Sequence, residues 1–330
     1  MVNMTTKAQM LINLREKAGE PVSGTVLASS IGVTRVAIWK GIQSLIDAGY
    51  PIETSDSGYT LNPEKADDFL FSWEFGENEA MFRYFDNTGS TMDNARECAL
   101  QGLPAGTVIT AEQQNAGRGR SGKNWESQRG GLFCTILERP TLALADYYLS
   151  AMVFQIAIAR SLSFFCGKSV RLRWPNDIYV DNRKIAGILT ELEGEGDRIN
   201  WLAMGIGVNV NNQVPSEKAV SCAAITGHTL SRREILLRII SEAEEVKKQC
   251  HSNNAYAQGN RLLATEWNTI ADCIGAQTIV VNSGGENKDR ILARGIFAGI
   301  DPAGRCIIKS EKEALYFNPG PVSIVFLNGK

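Results

Sequence analysis

The stretch Gln113-Gln-Asn-Ala-Gly-Arg-Gly-Arg-Ser-Gly-Lys-Asn-Trp125 decides between competing folds. Its three glycines match the GxGxxG pattern of dinucleotide-binding domains, and residues 117–123 match the start of a phosphate-binding P-loop. The first pattern requires a helix directly after the glycines, whereas residues 125–131 run into two more glycines. The second requires Ser or Thr after the lysine, and Asn124 stands there instead. Neither of these two folds is therefore predicted.

The same stretch concentrates groups that bind anionic ligands. Arg118, Arg120 and Lys123 place three positive charges within six residues, and arginine can hold phosphoryl or carboxylate oxygens through two parallel hydrogen bonds. Trp125 adds a flat apolar face on which a base can stack. An arginine-rich surface loop would have the same composition, so composition alone leaves both interpretations open.

Length, charge and cysteine content set the broad class of the protein. A chain of 330 residues predicts two or three domains. With 34 Lys+Arg against 36 Asp+Glu, any contact with DNA must come from a local basic patch. Seven cysteines without a CxxC pair indicate reduced thiols and no zinc site. The charged N-terminus and the lack of an apolar run of about 20 residues predict a cytoplasmic protein with no membrane contact.

Residues 5–61 predict three helices followed by a hairpin. Helices are expected near residues 8–14 and 25–30, and a longer one begins at Thr34, a natural N-cap. Gly32 lies in the turn between the second and third helices, which is the order of a helix-turn-helix. Residues 50–61 predict a two-stranded wing. The buried stripe of the third helix is predicted to contain Val36, Ile38, Ile42, Leu45 and Ile46.

Four polar residues on the third helix remain free to face a major groove, and they are the candidate DNA-binding residues: Thr34, Arg35, Lys40 and Gln43. Residues 1–64 contain five basic and six acidic side chains. A protein-interaction module fits this balance as well as a DNA-binding domain does, so composition leaves both open.

The rest of the chain divides into two parts after a connector at residues 66–76. From about residue 81 to 268, strand-like runs alternate with helical ones, which predicts a core of mixed helices and strands. After Cys273, five short runs are divided by turns and predict a small barrel. The predicted domains are residues 1–64, 65–272 and 273–330. The predicted strands are 107–111, 132–137, 185–193, 201–209, 279–281, 291–300, 306–308, 314–317 and 322–326, and the predicted helices are 91–102, 147–165 and 232–249.

Five segments in one order resemble the motifs of biotin–protein ligases. Residues 117–125 look like the family's GRGR…W adenylate-binding loop. The other four are residues 86–92, similar to the biotin-contacting D-S-T segment, 173–179, similar to K-W-P-N-D, 181–189, similar to the strand of the catalytic lysine, and 205–210, similar to G-x-G-x-N. The helix-turn-helix in front and the barrel behind resemble the bifunctional ligase that also represses the biotin operon.

The resemblance implies an α+β protein with a winged helix-turn-helix, a central mixed-sheet domain like that of class II synthetases, and an SH3-like barrel. It implies that the biotin carboxylate attacks the α-phosphate of ATP, which arrives with Mg²⁺, so that no metal is held by the protein alone. A lysine of a biotin carboxyl carrier protein then captures the biotinyl-adenylate. Operator DNA and a homodimer formed in the adenylate-bound state are the further partners implied.

The resemblance also assigns residues. Lys184 and Arg118 would act on the reacting groups, and Asp177 would take a proton from the incoming lysine. The residues implied to bind biotin are Ser90, Thr91, Met92, Gln114, Arg118, Gly119, Arg120, Lys184, Gly187 and Gly205. The residues implied to bind the nucleotide are Arg120, Lys123, Trp125, Asn176 and Asn209.

Three positions depart from the family pattern, and two other functions stay open. Arg173 stands where the family usually has Lys, while Ser121 and Asn124 lower the positive charge of the loop; we expect reduced but not abolished activity. A lipoate–protein ligase shares the fold and the chemistry, and lipoate incorporation would identify one. A biotin-sensing transcription factor without enzymatic activity would release no pyrophosphate from ATP.

Overall fold

The computed structural model describes residues 4–62, 68–251, 256–284, 290–320 and 322–327. The predicted domain boundary between residues 64 and 65, and the beginning of the predicted connector, lie outside these described residues.

The N-terminal part is three helices followed by a two-stranded antiparallel sheet, as expected. The hydroxyls of Thr5, Ser23 and Thr34 accept hydrogen bonds from backbone N–H groups of the first turns and so cap the three helices. Gly32 ends the second helix in the left-handed conformation, with φ of 77°. The elements are α1 (Thr6–Glu16), α2 (Gly24–Ile31), α3 (Arg35–Asp47), β1 (Ile52–Ser55) and β2 (Gly58–Leu61).

The predicted buried stripe of α3 was wrong at Val36. Ile38, Ile42 and Leu45 are buried, whereas the Val36 side chain is 62% exposed. Successive helical residues are about 100° apart. A residue two positions from Ile38 therefore points to nearly the opposite side of the helix.

The central part is built on a seven-stranded mixed sheet with the order β3-β4-β5-β9-β8-β7-β6. Only β3 and β4 run parallel among the neighbouring strands described. A 3-10 segment, Ser72–Met81, leads into the sheet and is kinked at Gly76. The strands are β3 (Phe82–Thr88), β4 (Val108–Gln114), β5 (Leu132–Glu138), β6 (Arg171–Arg173), β7 (Asp177–Val180), β8 (Arg183–Glu195) and β9 (Arg198–Val208). Strands β3, β6 and β7 were not predicted.

Among the described residues five helices accompany this sheet, and the longest apolar one fills the core. Helix α5 is long and apolar enough to cross a membrane, but 72% of that stretch is buried inside the protein. We therefore describe α5 as a core helix that packs against the sheet and the later helices. The helices are α4 (Thr91–Leu100), α5 (Tyr147–Cys166), α6 (Cys222–Thr226), α7 (Arg232–His251) and α8 (Tyr256–Ile270).

The C-terminal part is a five-stranded antiparallel sheet with the order β13-β12-β11-β10-β14. All five strands coincide with predicted ones. In the described residues β13 and β14 are the two edges, so the sheet is open there and its closure into a barrel is not confirmed. The strands are β10 (Gln277–Asn282), β11 (Ile291–Ile300), β12 (Cys306–Lys309), β13 (Ala314–Phe317) and β14 (Val322–Phe326).

Candidate active site

A cavity of about 240 Å³ lies between strands β8 and β9, strand β14 and the loop at residues 117–125, which we call the glycine–arginine loop. It brings together residues from all five segments singled out in the sequence. The candidate ligand-binding and catalytic residues that line it are Ser90, Thr91, Met92, Gln114, Arg118, Gly119, Arg120, Lys123, Trp125, Asn176, Asp177, Lys184, Gly187 and Gly205.

Glycines and large apolar residues alternate along β9, and this pattern explains how one wall of the cavity forms. Gly205 and Gly207 line the cavity, whereas Met204 and Val208 do not line it and belong to the main hydrophobic core. Successive strand residues face opposite sides of a sheet. The small residues therefore leave room on the ligand side, while the apolar ones fix the strand from behind.

Lys184 is held at the start of β8 by its backbone and its side chain. Its N–H donates to the carbonyl of Lys218 at 2.8 Å, and its own carbonyl accepts from the N–H of Val220 at 3.0 Å. The ammonium lies 2.6 Å from Oδ1 of Asp177, the first residue of β7, and both side chains are about 30% exposed. The two predicted catalytic groups thus form a preset ion pair at the cavity.

Arg118 is paired with two carboxylates. Its Nη1 and Nη2 donate to the two oxygens of Asp93 at 2.8 and 2.9 Å, and Nη2 also donates to Glu191 at 3.1 Å. The hydrogen bonds from Arg118 hold the pKa of Asp93 below its ordinary value. An anionic ligand that binds Arg118 must therefore share the guanidinium with these carboxylates or displace one of them.

Arg120 joins the loop to the C-terminal sheet. Its Nη2 donates to the backbone carbonyls of Pro319, Gly320 and Val322 at 3.1, 2.7 and 3.1 Å. Nη1 reaches Oδ1 of Asn176 at 3.5 Å. Burial lowers the pKa of Arg120 from its ordinary value, and the four oxygen partners stabilise the charge. Phosphate binding by Arg120 was expected from the resemblance and stays a prediction.

Trp125 packs on Gly187 and Gly207, which we call the glycine floor of the cavity. A Cβ added at Gly207 would lie 2.5 Å from Cε2 of Trp125, and one added at Gly187 would lie 3.1 Å from Cζ3. The ammonium of Lys184 lies 5.2 Å from the ring centroid. The indole Nε1 is buried without a hydrogen-bond partner among the described residues. Glycine at these positions is thus what allows the ring to enter the cavity.

Uncharged polar groups also line the cavity. Oε1 of Gln114 accepts from the N–H and the hydroxyl of Thr91 at 2.8 and 3.1 Å. The Thr91 hydroxyl also accepts from Thr135 at 2.8 Å. Ser90 caps helix α4, and Met92 lies beside Gly205. Such groups suit a neutral ligand that both donates and accepts hydrogen bonds.

Asn209, a candidate nucleotide ligand, is placed differently from the others. It is 4% exposed and does not line the cavity. Its Oδ1 accepts from Asn212 at 3.1 Å, and its N–H donates to the carbonyl of Ile185 at 2.9 Å. In this structure Asn209 therefore links β9 to the start of β8.

Several residues at the site were not singled out from the sequence. Glu191 could have been found, because it lies four residues beyond Gly187 and a strand repeats every two residues. Asp93 follows the predicted biotin segment directly. Ser323 and Ile324 of β14 also line the cavity, and no sequence signal connects them with the loop about 200 residues earlier.

The candidate DNA-binding residues lie on α3, away from this cavity, and all four are exposed. Thr34 caps the helix, and Nε2 of Gln43 donates to Asp47 at 3.1 Å. Arg35 lies beside the wing.

Comparisons with known proteins found matches for the N-terminal part and for the central part of the chain. The model of the biotin/lipoate A/B protein ligase family matches residues 84–209, and that of an HTH domain matches residues 6–60. The bifunctional ligase/repressor BirA of Bacillus subtilis is 32% identical over 249 residues, which are 72% of this chain and 77% of that protein. The protein of the same name from Escherichia coli is 32% identical over 68% of this chain and 71% of its own.

A solved structure has a similar fold. The biotin protein ligase from Aquifex aeolicus, in complex with biotin and ATP, superimposes with a TM-score of 0.61. It is 24% identical and covers 74% of this chain and 98% of its own. At this identity the likeness concerns the fold alone.

Proposed function

The chain belongs to the biotin protein ligase family, and we propose on that premise that it activates biotin with ATP and transfers the biotinyl group to a lysine of a biotin carboxyl carrier protein. The observation that carries the proposal is that Lys184, Arg118 and Arg120 line the same cavity as the uncharged polar groups around Gln114. Cations together with uncharged polar groups are what a carboxylate on a ureido ring system requires.

In the first step, a carboxylate oxygen of biotin attacks the α-phosphorus of ATP, and the bond to the bridging oxygen breaks to release pyrophosphate. Both reactants are anions, so they repel each other and charge accumulates at phosphorus. A fixed cation between them stabilises that charge. The Lys184 ammonium fits this role because both backbone groups of the residue are hydrogen-bonded.

In the second step, the amine of the carrier lysine attacks the acyl carbon of biotinyl-adenylate, and AMP leaves. The amine must lose a proton before or during attack. Asp177 lies at the cavity with a carboxylate oxygen 2.6 Å from Lys184, so it can accept that proton. The loop at residues 117–125 would exclude water from the labile anhydride.

Magnesium fits the site as a companion of ATP. Across the described ranges, no three His, Cys, Asp or Glu side chains cluster as metal ligands. Magnesium in nucleotide sites is usually held by phosphates and one or two protein oxygens. Asn176 and Asp177 offer such oxygens at the cavity, and the ion would neutralise phosphate charge there.

The N-terminal domain extends the proposal to transcription. We propose that it binds operator DNA and that the protein represses transcription in response to biotin. Support comes from the HTH match over residues 6–60 and from relatives named bifunctional ligase/repressor. The adenylate-bound protein would form a homodimer by pairing sheet edges, and we place it in the cytoplasm.

The finer division of the chain is part of the proposal. We assign residues 1–64 to a winged helix-turn-helix domain, 65–272 to the ligase domain and 273–330 to an SH3-like domain. Support for the last comes from five short antiparallel strands in one sheet.

Pyrophosphate release tests the ligase proposal. The protein is mixed with ATP and either biotin, lipoate or neither acid. We expect release with biotin and only background release with lipoate. Preference for lipoate would identify the related ligase, and no release with either acid would favour a sensor without enzymatic activity.

A further inference from the structure

The exposed face of helix α3 is apolar at the centre and basic at the edges over its first turns, and the exposed Asp47 follows on the same face in the last turn. Val36 and Trp39 are 62% and 57% exposed. With about 100° between successive residues, Val36, Trp39 and Gln43 fall within about 60° of one another. Arg35 and Lys40 then lie about 40° beyond them, one on each side. We call these five residues the α3 face.

The α3 face adjoins the wing. A cavity of about 520 Å³ separates them, lined on the helix side by Arg35, Val36 and Trp39. On the other side it is lined mainly by hydroxyl-bearing residues of the wing and the start of α2, with one acid, Asp56. The lining residues on that side are Ser23, Gly24, Thr25, Thr54, Ser55, Asp56, Ser57, Gly58 and Tyr59.

Few basic side chains of the domain remain for phosphates. Arg15 is engaged by Glu74 at 2.8 Å, and the ammonium of Lys7 lies over the Trp73 ring at 4.2 Å. On the α3 face only Arg35 and Lys40 are basic. Few phosphate contacts are therefore available to each chain, and we expect the apolar centre to contribute to the binding free energy of a DNA complex.

The order of charges on the α3 face matches the major groove of a DNA duplex. A helix in that groove points its central residues at base edges and its flanks at the two phosphate backbones. The apolar group displayed on the floor of the major groove is the C5-methyl group of thymine. Apolar side chains in the centre and cations on both sides are complementary to that surface.

We propose that Val36 and Trp39 recognise thymine methyl groups in the major groove of the operator. This inference rests on the proposed DNA-binding function and specifies how the sequence is read. Arg35 and Lys40 position the helix on the phosphates. Binding should therefore fall less steeply with salt than it does for strongly basic domains, because fewer counterions are released.

Replacement of thymine by deoxyuridine tests this inference, since it removes only the methyl group. Duplexes are first selected from a random pool by the full-length protein incubated with biotin and ATP. Dissociation constants are then measured with each thymine replaced in turn. We expect about a fourfold loss of affinity at each contacted thymine, the value for taking one methyl group out of water.

Substitutions of Val36 and Trp39 test whether these two side chains cause the loss of affinity. In Val36→Ala and Trp39→Ala, the thymine-over-deoxyuridine ratio should fall towards one, each at its own position. Val26→Ala is the matched control, because Val26 is 55% exposed on α2 but does not line the cavity beside the wing. It should keep the wild-type ratio. All three side chains are more than half exposed, so we expect unchanged melting temperatures.

The possible outcomes distinguish failure of methyl recognition from failure of the proposed DNA binding. If selected duplexes bind equally well with deoxyuridine, or if both variants keep the wild-type ratio, DNA binding stands and methyl recognition is wrong. If no duplex is enriched, the proposed DNA binding fails and the inference fails with it. Position-specific loss in the wild type that disappears in the variants supports the inference.

Discussion

At the scale of the residue, Lys184 is the group on which the chemistry depends. We expect Lys184→Ala to lower the rate of adenylate formation by about 10²- to 10³-fold, the usual effect of removing one fixed group that stabilises developing charge. Pyrophosphate release with saturating biotin and ATP measures this rate.

A second lysine provides the control for this substitution. Lys168 also forms an ion pair with an aspartate, Asp181, but both side chains are at least half exposed. Lys168→Ala should therefore keep the wild-type rate. Equal rates in Lys184→Ala and the wild type would contradict the role assigned to Lys184.

Gly207 tests whether the glycine floor seats Trp125. In Gly207→Ala the added methyl group would lie 2.5 Å from the indole ring, so the ring must move out of its place. We expect a higher KM for ATP with a smaller change in the KM for biotin. Gly89→Ala is the control, because a Cβ there meets no atom within 4 Å. An unchanged KM for ATP would argue against any contact between Trp125 and the nucleotide.

Residue roles could be assigned in advance only where a motif supplied them. The motifs led to Lys184, Arg118 and Gln114, which meet at one cavity. They also suggested Asn209, which is 4% exposed and does not line the cavity, because a motif gives the order of residues but not the direction of a side chain. The prediction that Val36 is buried was wrong because an apolar residue on a helix is expected to face the core, whereas the Val36 side chain is 62% exposed.

At the scale of the element, the contact between the loop and β14 deserves a test of its own. Arg120→Ala would leave the carbonyls of Pro319, Gly320 and Val322 without this donor. A hydrogen bond from a charged group contributes about 1.5–3 kcal/mol, and because these three bonds are part-buried or exposed we expect the lower value. We expect the amides of β14 to exchange with solvent about tenfold faster or more, and the KM for ATP to rise.

The matched control for Arg120 lies in the turn between β11 and β12 of the same sheet. Arg305 pairs with Asp301 at 2.6 Å but is 44% exposed. Arg305→Ala should leave exchange in β14 unchanged. If Arg120→Ala also leaves it unchanged while activity falls, Arg120 acts on the ligand and not on the sheet.

Elements with local signals could be predicted, while their pairings could not. The three N-terminal helices carry their own caps at Thr5, Ser23 and Thr34, so the sequence nearby determines where they start. The strands of the C-terminal sheet were found from short apolar runs between turns. The hydrogen bonds from Arg120 to residues 319–322 join segments about 200 residues apart, and no periodicity reports such a contact.

At the scale of the whole molecule, a buried carboxylate joins the N-terminal domain to the ligase domain. The side chain of Glu74 is fully buried and lies 2.8 Å from Arg15 of α1. Its backbone carbonyl accepts from Arg233 of α7 at 2.8 Å. The hydroxyl of Tyr50 donates to Glu74, and burial raises the pKa of Tyr50 so that it stays a donor. Glu74 therefore connects three parts of the chain.

We expect Glu74→Gln to lower the free energy of unfolding by about 3 kcal/mol, because Arg15 then loses the charge of its partner in a buried site. Glu77→Gln in the same segment is the control, since Glu77 is exposed. Thermal unfolding of the full chain measures both. A melting temperature equal to that of Glu77→Gln would show that the domains are held together elsewhere.

Mass spectrometry of a biotin carboxyl carrier domain incubated with the full-length protein, biotin and ATP tests the ligase function most directly. The cavity around Lys184, Arg118 and Gln114 predicts the gain of one biotinyl group on a single lysine, dependent on ATP and lost in Lys184→Ala. A carrier whose mass stays unchanged with the wild-type protein, or rises equally with Lys184→Ala, would contradict it.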